Sequence, residues 1–425
     1  MGILTTLLLA AASLTTQADA TTSAPARSIN PVVQWNQNLL LILRTPGAQP
    51  ATLHPTRSFA ILHAAIYDAV NSIDRTHAPY LLSLPGALRR ASRDAAVVGA
   101  AHEVLGTLYP AFRATLDSEL QQSLAQIVNG ADRAEGLRIG QAVADQILTL
   151  RNQDGSSAAP IPYVFGTAPG DYQSTPPNFP AQPQFTHWSF VTPFALKRAN
   201  QFRPGPPPAL GGERYSRALN EVASVGMADS ETATADQALV GRFWNGAIQN
   251  YWNEIAQTAS RAHHLTTAEA ARLFALLNLS LADSVIALYD AKYTYNFWRP
   301  VTAIRAAAAD GDAETPGDAN WLPEVGTTGA DPSYPGAHAV VSAAAAEVLN
   351  SLLKRRLDFA VTSEALPGTV RGFTSFSAAA REASLSRIFA GQHFRFDEAS
   401  GSTLGREVAD FVVDHSLAPL HDDAR

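Results

Sequence analysis

The 425-residue chain has no cysteine and only two methionines, Met1 and Met227. No disulfide framework can brace it or be exploited by it. It also lacks any run of lysine or arginine. Its 31 basic and 38 acidic side chains leave a net charge of −7, which argues against nucleic acid as a partner. Long apolar runs are missing as well: no stretch exceeds the roughly 18 apolar residues a membrane-crossing helix needs, so the reading is a soluble mature protein with no membrane span. Alternation of apolar and polar residues, the mark of strands, is scarce throughout. What remains is a chain long enough for one large or two smaller helical domains.

The first twenty residues, MGILTTLLLAAASLTTQADA, hold a short apolar run that ends in Ala18-Asp19-Ala20. They read as a signal peptide cleaved after Ala20, although no basic residue precedes the run, and so predict a secreted or periplasmic protein. Residues 21–153 form an N-terminal helical half. In SFAILHAAIYDAVNSI, Phe59, Leu62, His63, Ile66 and Val70 fall at helical spacing on one face. His63 and His102 lie on such faces among apolar neighbours and are read as structural; Gly106, four beyond His102, removes a zinc-protease motif.

Texture changes at residues 154–212. Twelve of the 27 prolines lie between Pro160 and Pro208, so regular helix is excluded. Interleaved Tyr163, Phe165, Phe185, Trp188, Phe190 and Phe194 predict a packed excursion over the helices, not a free linker. Residues 213–425 return to helix. TADQALVGRFWNGAIQNYWNEIAQTASRA is read as one helix, and Thr266 with Glu269, three residues on, as a capping box. The expectation is an all-α protein of about a dozen helices in two packed bundles.

Three segments of the last third concentrate cations and histidines. KYTYNFWRP places Lys292 and Arg299 seven apart, two helical turns, in an aromatic setting where unpaired cations would be costly without an anion. PSYPGAHA sets a proline-pinned turn before a helix opening near His338. The backbone N–H groups of the small residues Gly336 and Ala337 could approach an oxyanion there; a plain helix start with a surface histidine is the other reading. SRIFAGQHFRFD carries Arg387 and His393, which a continuous helix would point apart. Gly391 permits a turn that returns His393 beside Arg387. Asp397 could accept from His393 Nδ1–H and leave Nε2 free as ligand or nucleophile, while Arg395 reads as a surface ion-pair residue.

In order and spacing these segments resemble the signature of the vanadium-dependent haloperoxidases and the related type-2 phosphatidic acid phosphatases. Lys292, Arg299 and Pro300 match its first part; Ser386, Arg387, His393 and Asp397 match its third. In the middle part, Gly336-Ala337-His338 stands where the family usually has Ser-Gly-His, so one hydroxyl is missing. Losing one neutral hydrogen bond costs about 0.5–1.5 kcal/mol, which weakens an anion site without abolishing it.

The resemblance implies a vanadium chloroperoxidase-like fold and a vanadate cofactor, whose site phosphate can also occupy. Lys292, Arg299 and Arg387 would neutralise its oxygens, His393 would be the vanadium ligand, and His338 the acid/base. The implied reaction is oxidation of bromide or iodide, with chloride open, by hydrogen peroxide to hypohalous acid, with an organic acceptor as a further option. The scarcity of oxidisable sulfur suits such chemistry, though an Ala- and Arg-rich composition explains it more simply. The same residues also suit a soluble acid phosphatase working through a phosphohistidine, or an oxyanion-binding protein of reduced turnover. Asp331 and Tyr289 stand near the expected halide site, with Asp331 pointing either inward or out. The oligomeric state is open, a homodimer included.

Overall fold

The computed structural model describes residues 29–420; the signal peptide expected over residues 1–20 lies outside them. The N-terminal helices are α1 (Pro31–Arg44), α2 (Pro55–Asp74), α3 (Arg93–Leu108), α4 (Arg113–Ala125) and α5 (Ala131–Arg151). After the proline-rich segment come α6 (Glu213–Val225), α7 (Ala235–Phe243), α8 (Ile248–Ala262), α9 (Thr267–Tyr295) and α10 (Pro300–Arg305). Then follow α11 (Ala337–Leu352), the strands β1 (Phe359–Thr362) and β2 (Val370–Phe373), α12 (Phe376–Phe389) and α13 (Arg395–His415). The fold is all-α, with 13 α-helices and one small antiparallel hairpin among the described residues.

Small residues decide how closely the helices approach. A Cβ on Gly140 of α5 would lie 2.1 Å from the Ala96 carbonyl of α3, and one on Gly405 of α13 would lie 2.1 Å from the Val340 carbonyl of α11. Both pairs therefore pack backbone to backbone, and larger residues there would force the helices apart. Helix α9 runs through the middle and touches both groups of helices. Thr266 and Glu269 cap it reciprocally, as their spacing predicts. Contrary to the sequence reading, α9 is long and apolar enough to cross a bilayer, but it is almost wholly buried inside the protein. It is a core helix, apolar on all sides because every side is covered.

Two other expectations change. The single helix read across residues 234–262 breaks between Phe243 and Ile248, where the Asn245-Gly246 dipeptide supplies a turn. The β1–β2 hairpin pairs Phe359 with Phe373 and Thr362 with Val370, and its four-residue strands are too short for an alternating pattern to stand out.

The proline-rich segment has no regular structure beyond one 3₁₀ turn, Trp188–Phe190. It is nonetheless fixed. The buried Asp283 carboxylate on α9 accepts N–H bonds from Phe194 (2.6 Å), Ala195 (2.7 Å) and Leu196 (2.7 Å). Further along, Tyr172 N–H donates to Asn296 O, Trp298 N–H to Gly170 O and Gln184 N–H to Ala330 O. The segment thus lies across residues 296–298 and 330, beside two of the three sequence segments.

Candidate functional site

Lys292 and Arg299 do not share one helix as their spacing suggested. Helix α9 stops at Tyr295, because Asn296 takes a left-handed conformation (φ +48°) and its N–H closes on the Lys292 carbonyl. Arg299 instead caps α10, with Pro300 in the first turn where its missing N–H costs nothing. The two cations still converge. Lys292 Nζ, fully buried, donates to the Pro332 carbonyl and to the Ser333 carbonyl (3.2 Å), and lies 3.7 Å from Asp331 Oδ1. Arg299 donates from Nε to the Asp331 carbonyl (2.8 Å), from Nη2 to the Asp331 carboxylate, and from Nη1 to the Gln392 carbonyl (3.1 Å). Asp331 therefore points inward. Burial pulls the Lys292 pKa down, and the Asp331 carboxylate opposes that shift.

The middle segment opens α11. Gly336 is its N-cap, but its N–H is committed to the Asp397 carbonyl (3.0 Å), so Gly336 does not offer the free donor expected of it. The first-turn N–H groups of Ala337 and His338 have no intrahelical acceptor and remain able to meet an anion. His338 Nε2 donates to the Trp244 carbonyl (2.8 Å). Burial, followed by the neighbouring Arg387 cation, holds its pKa well below the ordinary value.

In the third segment Gly391 adopts φ +74° and both Gln392 N–H and His393 N–H fold back to the Arg387 carbonyl. This is the turn predicted from the Arg387–His393 spacing. His393 Nδ1–H donates to Asp397 Oδ2 (3.0 Å), leaving Nε2 as an acceptor 3.0 Å from Arg299 Nη1. Burial first, then the cations of Arg299, Lys292 and Arg387, keep this imidazole neutral far below its usual pKa. Ser386 turns away and bonds the Ala383 carbonyl of its own helix. Arg395 pairs with Glu221 on the surface, as expected.

Arg387 differs from the other two cations. It is 6% exposed, yet only Nη2 has a partner, Asn245 Oδ1 at 3.2 Å; Nε and Nη1 have none. Burying guanidinium N–H groups without acceptors is costly. An anion placed beside them would satisfy both.

The sequence reading missed several members of the site. Ser333 donates to Asp397 Oδ2 (2.5 Å) and so helps hold the His393 partner. Asn245, from the break between α7 and α8, braces Arg387. Glu398 is 3% exposed, with Oε1 unpartnered. Burial, then the adjacent Asp397, raises its pKa. Its position directly after Asp397 was the available signal, hidden because neighbours on a helix usually face apart. An aromatic cluster beside Asp331 also draws on distant parts of the chain. Tyr289 contacts Phe185 (5.2 Å between ring centres) from the proline-rich segment and His54 (6.2 Å) from the start of α2, and it stacks on Tyr293.

Comparison with known proteins finds vanadium haloperoxidases as relatives of this chain. A family model described as the VCPO second helical-bundle domain matches residues 272–422, which contain all three segments. The chain is 26% identical to the vanadium chloroperoxidase of Curvularia inaequalis, over 89% of this chain and 82% of that protein. It superimposes on a bacterial vanadium-dependent iodoperoxidase with a TM-score of 0.78 at 25% identity, covering 93% of this chain and 98% of that one. A holo-type bacterial vanadium-dependent chloroperoxidase shares the fold, with a TM-score of 0.64 at 15% identity over 88% and 97% of the two chains.

Proposed function

The chain belongs to the vanadium-dependent haloperoxidase family, and from that premise we propose that it is a vanadate-dependent peroxidase oxidising iodide or bromide with hydrogen peroxide. The observation that carries this reading is the buried Arg387 with two unpartnered nitrogens, facing a neighbourhood built for an oxyanion. The donor set fits vanadate: three cations for its oxygens, helix N–H groups at Ala337 and His338, and an imidazole nitrogen at His393. Bound there, vanadate would supply a Lewis acid that activates peroxide toward halide without changing oxidation state.

The protein's own part is to hold charge and move protons. Asp397 fixes the His393 tautomer so that Nε2 keeps its lone pair. His338, neutral because of burial and Arg387, can take a proton from incoming peroxide and return one as product forms. The balance is hydrogen peroxide, halide and one proton giving hypohalous acid and water. Phe185, Tyr289 and Tyr293 form an aromatic cluster beside Asp331 and would offer an apolar wall to a bound halide. Asp331 adds a negative charge beside Lys292 and Arg299, which damps the site's positive field. Iodide and bromide, easier to oxidise than chloride, are the halides this arrangement favours.

The test is halide oxidation by purified protein with and without added vanadate. Expected is vanadate-dependent turnover, fastest with iodide, then bromide, then chloride, and a loss of at least about 10³-fold in His393→Ala. Turnover of an aryl phosphate, inhibited by vanadate and without halide oxidation, would replace the proposal with a phosphatase.

A further inference from the structure

The residue that occupies the side-chain space at position 336 is not residue 336. A Cβ built on Gly336 would stand 2.0 Å from Glu398 Oε1 and 2.7 Å from Glu398 Cδ. The carboxyl of α13 thus fills the volume over the α11 N-terminus that any side chain at Gly336 would need. Its Oε2 accepts from Ser384 Oγ (3.1 Å), while Oε1 is buried, unpartnered and 3.9 Å from His393 Nδ1. No ion pair joins it to Arg387, whose Nε and Nη1 are also unpartnered. An acceptor near His393 and two donors on the cation beside His338 are thus buried without a hydrogen-bond partner. Each would be costly without a ligand to meet it.

We propose that Glu398 is an oxyanion-binding residue that supplies the hydrogen bond a hydroxyl side chain at position 336 would otherwise make. This deepens, and rests on, the reading of Lys292, Arg299, Arg387 and His393 as an oxyanion cradle. A carboxyl group and an oxyanion meet only through a shared proton. Phosphate and vanadate carry one at neutral pH, so the contact is a hydrogen bond whichever partner holds the proton. The ligand class is therefore a tetrahedral oxyanion able to bear a proton. Gly336 and Glu398 are a pair: the absent side chain admits the acid, and the acid makes the bond that the side chain does not.

The pair is tested by titrating the full chain with inorganic phosphate in a calorimeter, for the wild type, Glu398→Ala, Gly336→Ser and the double variant. Glu398→Ala should weaken phosphate binding by about tenfold or more, the scale of one hydrogen bond to a charged ligand. Gly336→Ser alone should weaken it as well, since the new Cβ would push the Glu398 carboxyl out of its present place. Gly336→Ser combined with Glu398→Ala should recover affinity to within a few-fold of wild type. A merely structural acid would give additive losses, not rescue. Thermal melts of all four proteins separate misfolding from weakened binding, and Glu398→Gln supplies a near-isosteric variant if alanine unfolds the chain. Unchanged affinity in both Glu398 variants, or no rescue in a folded double variant, overturns the proposal. Coupling in binding without halide oxidation would keep Glu398 and sink the peroxidase reading; no phosphate or vanadate binding at all would overturn both.

Discussion

The N-terminal helices and the cradle both bury charged side chains, but they treat them differently. Around the N-terminal helices the charges are consumed internally. Asp68 accepts N–H bonds from Tyr80, Leu81 and Leu82. Asp154 sits between Arg57 and Arg151, and both guanidinium groups also donate to backbone carbonyls. In the cradle the pairing is incomplete. Among the described residues, the buried Lys, Arg, Asp and Glu atoms without a partner all belong to Arg387, Asp397 and Glu398. A fold stabilises itself by closing such groups, and a binding site leaves some for its ligand. Unpaired buried charge is therefore the feature on which the proposed site rests.

The sharpest way to break that contrast is to remove one internally satisfied charge and one that is left open. Asp283→Ala deprives Phe194, Ala195 and Leu196 of their acceptor. Left unsatisfied, those groups should cost about 3 kcal/mol in a denaturant melt and loosen the proline-rich roof. Arg387→Ala should do the reverse, leaving the melt near wild type while phosphate binding falls by about 100-fold in calorimetry. If Arg387→Ala destabilises the fold as much as Asp283→Ala, the distinction between closed and ligand-directed charge fails.

A smaller effect is expected from pH. His63 is fully buried against Phe274 and Asn36, and burial lowers its pKa to about 3. The unfolded chain takes up a proton near pH 6.5 that the folded chain refuses, so this contribution to stability is full above that pH and lost as pH falls toward 3. The loss should reach about 2 kcal/mol by about pH 5, read as a falling melting temperature. His63→Leu should flatten the profile over this window.

The smallest predicted change concerns Asp331, the acid bonded to Arg299 and near Lys292. Asp331→Asn removes a competitor for both cations and should tighten phosphate binding by up to about tenfold. Weaker binding in this variant would mean that Asp331 supports the cradle instead of competing with the ligand.

Much of the site was legible in the chain itself. The Lys292, Arg299, Arg387, His393 and Asp397 set stands in three short segments, and the Gly391 turn followed from the need to bring Arg387 and His393 together. Glu398, Ser333 and Asn245 were not legible, because each acts through a partner distant in sequence or across a helix start. His54 and Phe185 meet Tyr289 only once α2 and the proline-rich segment pack against α9.

The sequence by itself determined the helical class, the packed proline-rich excursion and the residue types of the proposed oxyanion site. Local periodicity, proline and spacing carry those properties, and they act within a few turns of chain. Tertiary structure decided that Asp331 faces inward, that Gly336 N–H is spent on Asp397, and that Glu398 fills the side-chain space at Gly336. These depend on which atoms lie within about 4 Å once α9, α11, α12 and α13 are packed, and hydrogen bonds and steric exclusion act only at that range.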